Sequence, residues 1–139
     1  MFAFFRSVVA IAIIPFAAAS VLAQGYPNRP IKLVVPYPPG ASTDATARLV
    51  AQKMSEDLGQ SVIVENRSGA SGDIGSDYVA RATPDGYTFL LGTDATHSSN
   101  PYLFKNFPFD VIKDTTPITM AAKNILVLVA NPSFPPNNI

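Results

Sequence analysis

Short apolar runs alternate with longer amphipathic stretches between residues 31 and 91. The runs at 31–35, 61–65 and 87–91 are short, apolar and rich in β-branched or aromatic residues, which is typical of buried strands. The stretches at about 44–58 and 73–82 repeat their apolar positions at helical spacing, so each predicts a helix. The pattern therefore predicts the element order βαβαβ.

Both predicted helices carry signals at their ends. The first is predicted to be capped by Ser42 or Thr43 and to end at Gly59 in a left-handed conformation. The second places Asp73 in its electropositive first turn. The residues predicted to share the apolar face are Ala47, Val50, Ala51, Met54 and Leu58 in the first helix and Ile74, Tyr78 and Ala82 in the second.

The loops that follow the strands are rich in glycine and hydroxyl residues. Strands joined through a helix run parallel, so the loops at 37–43, 66–72 and 92–99 are predicted to meet at one edge of the sheet. In open α/β sheets, ligands bind at that edge. Two of the loops also lead into helix N-termini, where unpaired amides favour an anion. The sequence therefore predicts a small-anion site built from backbone N–H groups, glycines and hydroxyls.

The last third of the chain gives a weaker pattern. Residues 100–105 predict a helical turn, and residues 110–116 predict a loop. Residues 118–122 and 125–130 predict two more strands, the second buried because it is entirely apolar. Residues 133–139 have the composition of an interrupted connecting loop.

The N-terminus has the pattern of a secretory signal peptide. Arg6 precedes an apolar run at 8–19, and Val21 and Ala23 place small residues at a cleavage site after Ala23. The run is shorter than the roughly 20 apolar residues that cross a bilayer. The sequence predicts export into the periplasm and a mature chain that begins at Gln24.

Composition excludes several classes of partner and chemistry. The chain holds 10 basic and 10 acidic residues, which gives no electrostatic reason to expect nucleic acid or anionic lipid as a partner. It has no cysteine, so disulfides, thiolate chemistry and a lipidated N-terminal cysteine are excluded. A single histidine and scattered carboxylates do not favour a metal site, and no cofactor is predicted.

The motifs that would indicate an enzyme are incomplete. Residues 69–75 resemble a dinucleotide fingerprint, but Ser71 stands where glycine is required and the segment follows the second strand. The same residues lack the second glycine of a hydrolase Gly-x-Ser-x-Gly elbow, and no Gly-Lys-Ser/Thr of a P-loop occurs. His97 is interpreted as a loop hydrogen-bonding residue. The chain is therefore predicted not to be an enzyme.

Four carboxylates lie in loops or at loop ends. Asp44 and Asp94 stand beside two of the rim loops, where capping of a helix or turn and contact with a ligand are both open interpretations. Asp110 and Asp114 are interpreted as solvated loop charges.

Taken together, the segments resemble the Bug receptors, the substrate-binding proteins of tripartite tricarboxylate transporters. The longest match runs from Tyr26 to Asp44 and includes Pro36-Tyr37-Pro38-Pro39-Gly40. Further matches follow in order at 64–67, 69–72, 74–75, 82–88, 92–93, 96–97, 100–101 and 127–133. The set covers essentially all of the chain after the signal peptide.

The resemblance implies a periplasmic receptor of the type II periplasmic-binding-protein fold, an α/β two-lobe clamp that closes on a small organic acid. The liganded receptor would dock on membrane permease subunits. Carried over residue by residue, the ligand-binding set is Pro39, Gly40, Ala41, Ser42 and Asp44 from the first loop, Gly69, Ala70, Ser71 and Gly72 from the second, and Thr93, Thr96 and His97 from the third.

Three departures from the family pattern bear on this site. Ala41 stands where the family has a glycine, and a positive φ there would cost about 1 kcal/mol. Ser71 also replaces a glycine and adds a hydroxyl near the ligand. Family members continue well beyond this length and complete the first lobe with a later segment, so residues 24–115 are predicted to form an incomplete first lobe. Residues 116–139 are predicted to hold the crossover strands and the start of the second.

Three hypotheses follow. The leading one is a solute-binding receptor for a small carboxylate. The second is a truncated product of such a gene that binds nothing, because half a clamp buries little ligand surface. The third is an enzyme or sensor built on the same lobe.

Overall fold

The computed structural model describes residues 25–125 and 127–133, so the predicted signal peptide and its cleavage site lie outside the described residues. The elements are, in chain order, β1 (Ile31–Val35), α1 (Ser42–Leu58), β2 (Val62–Asn66), α2 (Asp73–Ala80), β3 (Thr88–Leu90) and α3 (Asn100–Leu103). A 3-10 turn at Ala70–Gly72 precedes α2, and a π-helical turn at Ala95–Ser99 precedes α3. The predicted α/β class and the order βαβαβ are confirmed.

The three strands form a parallel sheet in the order β2-β1-β3. Leu33 in the central strand lies level with Val64 on one side and with Phe89 on the other. Strand β1 lies between two strands and contacts both α1 and α2, and all of its side chains except that of Lys32 are buried. The parallel arrangement brings the carboxyl ends of all three strands to one edge.

Helix α1 packs on the sheet through small side chains. Ala47 and Ala51 are buried and form a core cluster with Leu33 and Val35. The predicted apolar face is confirmed for these alanines, whereas Leu58 at the end of the helix is exposed. The short alanine side chains let the helix approach β1 closely, which brings its N-terminus to the rim of the sheet.

The predicted C-terminal end of α1 is confirmed, whereas the predicted N-terminal cap is not. Gly59 ends the helix with φ 64°, and its N–H donates to the carbonyl of Ser55 at 3.1 Å, so the predicted left-handed end is confirmed. The predicted cap at Ser42 or Thr43 is wrong, because Ala41 occupies the cap position and supplies no side-chain acceptor. The Asp44 carboxylate instead accepts the N–H of Gly40, just before the helix.

Helix α2 turns a different face to the sheet from the predicted one. Ile74 is 55% exposed, whereas Asp73, Gly75 and Ser76 are buried. A Cβ at position 75 would lie 2.7 Å from the carbonyl oxygen of Arg67 and 2.9 Å from the Cα of Pro36. The backbones approach so closely that only glycine fits, so small residues rather than apolar ones face the sheet.

The two strands predicted at 118–122 and 125–130 are not present among the described residues. Ile118 is 73% exposed and Leu128 is 85% exposed, so the prediction of a buried apolar strand is wrong for this structure. A strand is stable only where a neighbour pairs with its backbone, and no described strand pairs with this segment. Within the described ranges, no helix is both long and apolar enough to cross a membrane.

Candidate ligand-binding site

Three loops meet at the carboxyl edge of the sheet, and we call them the first (36–41), second (67–72) and third (91–99) rim loops. The phenol oxygen of Tyr37 in the first loop is hydrogen-bonded to Oγ1 of Thr93 in the third at 2.7 Å. A Cβ at Gly72 in the second loop would lie 2.6 Å from Cγ2 of Thr96 and 3.3 Å from the Tyr37 hydroxyl. The predicted convergence of the three loops is therefore observed, with Gly72 at its centre.

The first rim loop turns at Gly40 and enters α1 without strain. Gly40 has φ 86°, and Ala41 has φ −72° and ψ 164°, which is ordinary extended backbone. The cost expected for Ala41 at positive φ therefore does not arise, because the left-handed residue is the preceding glycine. The loop presents the exposed side chains of Pro39 and Ser42 to solvent.

Asp44 is buried behind this loop and binds three groups of the protein. Its carboxylate accepts hydrogen bonds from the N–H of Gly40 at 2.9 Å, from Nε of Arg48 at 3.0 Å and from Nδ2 of Asn66 at 2.9 Å. The hydrogen bond from Arg48, followed by those from Gly40 and Asn66, lowers the pKa of Asp44 from 3.8 to about 2. Because these partners are internal, the geometry favours loop shaping over direct ligand contact for Asp44.

Asn66 is a rim residue that the sequence analysis did not select. It is the last residue of β2, and its side-chain amide donates to the Tyr37 carbonyl at 3.1 Å as well as to Asp44. It thus ties the first rim loop to the end of the neighbouring strand. The sequence signal for Asn66 was its position as a polar residue at the carboxyl end of an apolar strand. That position indicates a rim residue only once the strands are known to be parallel.

The second rim loop contains four consecutive residues with positive φ. The values are 133° at Gly69, 46° at Ala70, 54° at Ser71 and 97° at Gly72. The turn is closed by a hydrogen bond from the Gly72 N–H to the Gly69 carbonyl at 2.9 Å. A left-handed conformation costs a residue with a side chain roughly 1–2 kcal/mol, so Ala70 and Ser71 are strained. Strain of this kind persists where the surroundings fix it, and it clusters at functional sites.

A buried polar pair supports this turn from below. Asp73 is 7% exposed and Asn100 is 3% exposed. The Asn100 side-chain amide donates to Oδ1 of Asp73 at 2.6 Å and to the carbonyl of Ser71 at 3.2 Å. The pair therefore connects the second rim loop to the start of α3, and neither role was predicted from the sequence.

The third rim loop is organised by Thr96, which is fully buried. Its hydroxyl accepts from the Thr93 N–H at 3.0 Å, donates to the Thr93 carbonyl at 3.0 Å, and lies 2.8 Å from Nδ1 of His97. Burial lowers the pKa of the His97 imidazole below its ordinary value of 6.5, which favours the neutral form of the ring. The interpretation of His97 as a loop hydrogen-bonding residue agrees with this geometry.

The predicted site residues divide by exposure into those that can touch a ligand and those that shape the rim. Those exposed at the rim are Pro39, Gly40, Ser42, Ala70 and Ser71. Those partly buried are Ala41, Gly69, Thr93 and His97, and those buried are Asp44, Gly72 and Thr96. The exposed set includes two hydroxyl side chains, those of Ser42 and Ser71, which can donate to a carboxylate. Among the described residues, no group of three or more acidic, histidine or cysteine side chains is placed to hold a metal ion.

A second concavity lies against the third rim loop. It is a groove of about 1160 Å³ between the region of β3 and residues 113–124, and one end reaches Thr93 and His97. Its outer wall is a segment without secondary structure whose side chains are largely exposed. The groove has this exposed segment as one wall, whereas the rim loops are joined by hydrogen bonds, so the rim is the better candidate site.

Comparison with known proteins gives a consistent result across most of the chain. Residues 46–139 match the family described as the tripartite tricarboxylate transporter family receptor. The chain is similar to a UPF0065 protein of Bordetella pertussis, with 44% identity over 140 residues. That alignment covers 99% of this chain and 42% of the relative, so the chain spans about two fifths of the relative's length.

Two solved structures share the fold at substantial identity. The R. palustris protein Rpa4515, in a structure with adipate, has a TM-score of 0.61 and 43% identity, covering 63% of this chain and 29% of that one. The periplasmic binding protein BugD has a TM-score of 0.59 and 43% identity, covering 64% of this chain and 29% of that one.

Proposed function

This chain belongs to the tripartite tricarboxylate transporter receptor family, and from that premise we propose that it carries the carboxylate-binding rim of a periplasmic, Bug-type receptor. The ligand is a small organic acid, which the receptor captures for the membrane permease subunits of such a transporter. The solved relative with adipate supports this ligand class.

The convergence of the three rim loops around Gly72 is the observation that carries the proposal. A carboxylate is held best by several N–H and O–H donors that the protein positions in advance. The rim offers the exposed hydroxyls of Ser42 and Ser71 beside the N-termini of α1 and α2, whose dipoles favour an anion. In this proposal these groups contact the ligand, whereas Asp44 and Thr96 shape the loops from behind.

Titration of the purified chain followed by nuclear magnetic resonance tests this function. Adipate, malate, citrate and glutamate are the probes, and hexane-1,6-diol is the uncharged control that matches adipate in length. We expect the acids to shift the backbone amides of residues 40–43 and 70–73, and the diol to leave them in place. Shifts confined to residues 113–124, or no shift with any acid, would contradict the proposal.

The affinity of this rim is expected to be modest. The exposed rim residues leave much of a bound acid in contact with solvent, and binding strength depends on the ligand surface that is enclosed. A dissociation constant of about 1 mM is the expected scale. The second candidate function is a chain that binds no acid, and the same exposure of the rim favours it. In that case the spectrum would not change even at a large excess of adipate.

We propose that the receptor binds its acid without changing it chemically. Recovery of unaltered adipate and malate after prolonged incubation is the expected result. Conversion of either acid that is abolished by His97→Ala would favour the enzyme hypothesis instead.

The proposed location is the periplasm, since BugD is a periplasmic binding protein. Residues 1–23 serve as the signal peptide in this proposal. Mass spectrometry of the chain from a periplasmic extract is expected to find Gln24 as the first residue. An N-terminus at Met1 in that fraction would contradict cleavage after Ala23.

A further inference from the structure

The side chain of Asn100 hydrogen-bonds the Ser71 carbonyl in the strained turn at residues 69–72. It lies 29 residues beyond Ser71 in sequence and is almost completely buried. Its amide nitrogen carries two hydrogens, and the two acceptors are the Ser71 carbonyl at 3.2 Å and the Asp73 carboxylate at 2.6 Å. Both donor positions are therefore in use.

Asp73 determines which way the Asn100 amide points. A carboxylate only accepts, so it selects the nitrogen of the amide rather than the oxygen. The bond is short at 2.6 Å and both residues are buried, which makes the orientation costly to change. With the nitrogen fixed on Asp73, its second hydrogen is directed at Ser71.

The contact with the Ser71 carbonyl also fixes the next N–H. In a trans peptide unit the C=O and N–H point in opposite directions. When Asn100 holds the Ser71 carbonyl, the N–H of Gly72 is directed away from it and toward the Gly69 carbonyl, 2.9 Å away. One buried side chain thus supports the turn in which Ala70 and Ser71 are held in the left-handed region.

We propose that Asn100 is a positioning residue for ligand binding, which holds the Ser71–Gly72 peptide unit so that the exposed tip of the second rim loop, at Ala70 and Ser71, keeps the conformation that meets the carboxylate. Asp73 orients Asn100 and does not itself touch the ligand. This inference rests on the proposed receptor function and assigns to these two residues a role that the family resemblance did not supply.

Two variants separate the role in positioning from a role in stability alone. Asn100→Asp keeps the size of the side chain but places two carboxylates together and removes the donor to Ser71. The second is a double variant, Asp73→Asn with Asn100→Asp, which exchanges the two side chains. This exchange variant restores a hydrogen bond between them but still leaves no donor for the Ser71 carbonyl. Asn106→Asp, at an exposed position in the same part of the chain, is the control for added charge.

The measurements are thermal unfolding, amide chemical shifts of residues 70–72, and titration with adipate and malate. We expect Asn100→Asp to lower the melting temperature and the exchange to recover most of that loss. In the exchange variant the amides of 70–72 remain displaced and the affinity for the acids remains about tenfold weaker than in the wild type. Asn106→Asp is expected to match the wild type in all three measurements.

An exchange variant that recovers both stability and acid binding would overturn the proposal, because Asn100 would then act only through folding. Wild-type affinity in Asn100→Asp would overturn it as well. If the wild type binds neither acid, the receptor function fails, and the amide shifts alone decide the role of Asn100. Undisplaced amides at 70–72 in the exchange variant would then refute it.

Discussion

The hydroxyls of Tyr37 and Thr93 lie 2.7 Å apart and join the first rim loop to the third. These residues follow β1 and β3, so their hydrogen bond holds together the ends of two neighbouring strands. Gly72 sits against both loops, which places all three at one point. A site assembled in this way depends on few contacts, and each can be removed separately.

Tyr37→Phe is expected to destabilise the chain by about 1 kcal/mol, which is the usual net contribution of a hydrogen bond to stability. The substitution removes the hydrogen-bond partner of the half-buried Thr93 hydroxyl. Thr93→Val should cost a similar amount, and the double variant should cost less than the sum of the two. Chemical denaturation of all four chains measures this coupling. The control is Tyr102→Phe, since Tyr102 is 90% exposed and is expected to be neutral. Full additivity would show that the two hydroxyls do not interact.

Ser71→Gly is expected to stabilise the chain by about 0.5–1 kcal/mol. The substitution removes the strain of a side chain at φ 54°, and the added freedom of the unfolded chain offsets only part of that gain. Ser68→Gly is the matched control, because Ser68 has no positive φ and the change should be neutral or destabilising. Thermal and urea unfolding give the comparison. Stabilisation of equal size at both positions would contradict the strain argument.

Gly72→Ala is expected to destabilise the chain by more than about 2 kcal/mol, because left-handed strain and overpacking add at this position. The new Cβ would lie 2.6 Å from Cγ2 of Thr96. Gly40→Ala has a similar φ of 86° but meets no atom within 4 Å, so it should show the strain alone. Thr96→Ser removes the obstructing methyl group and should recover part of the loss in Gly72→Ala. Equal losses at positions 40 and 72 would refute the predicted overpacking.

Stability is expected to fall on acidification because of Asp44. Its pKa is lowered from 3.8 to about 2 in the folded chain, chiefly by the hydrogen bond from Arg48. The unfolded chain therefore binds this proton more readily than the folded chain. The Asp44 contribution is fully present above pH 3.8 and is lost as the pH falls toward 2.

Denaturation curves between pH 2 and pH 6 measure this step. Asp44→Asn should be less stable than the wild type at pH 6, and the difference should shrink as the pH approaches 2. Asp57→Asn removes an exposed carboxylate paired with Lys53 and should retain the Asp44-dependent step. A difference between Asp44→Asn and the wild type that does not change with pH would contradict the assignment.

The sequence was sufficient for the element order and for the meeting of the loops, because both follow from local patterns and from the rule that joins parallel strands. It also identified Gly59, whose left-handed conformation is a local requirement. The face of α2 was predicted wrongly because Gly75 is selected by the close approach of another backbone, which hydrophobic spacing does not report.

The remaining differences arise from contacts between residues far apart in the chain. Asn66 and Asn100 bind partners 22 to 29 residues away, and nothing near them in sequence indicates those partners. The apolar pattern at 118–130 favoured strands, but a strand also needs a neighbour to pair with. The asparagine hydrogen bonds and the pairing of strands both depend on tertiary structure, which the local sequence pattern does not report.

The position of the third rim loop depends on the shortest strand of the sheet. Strand β3 pairs with β1 through only three residues, and Thr93 lies just beyond the last of them. A slip of one residue along β1 would move the end of β3 by about 3.3 Å and turn the strand's side chains to the opposite face of the sheet, and the loop that holds Thr93 would shift with it. The shape of the rim is therefore a matter of strand alignment, and the placement of Phe89 opposite Leu33 belongs to that alignment.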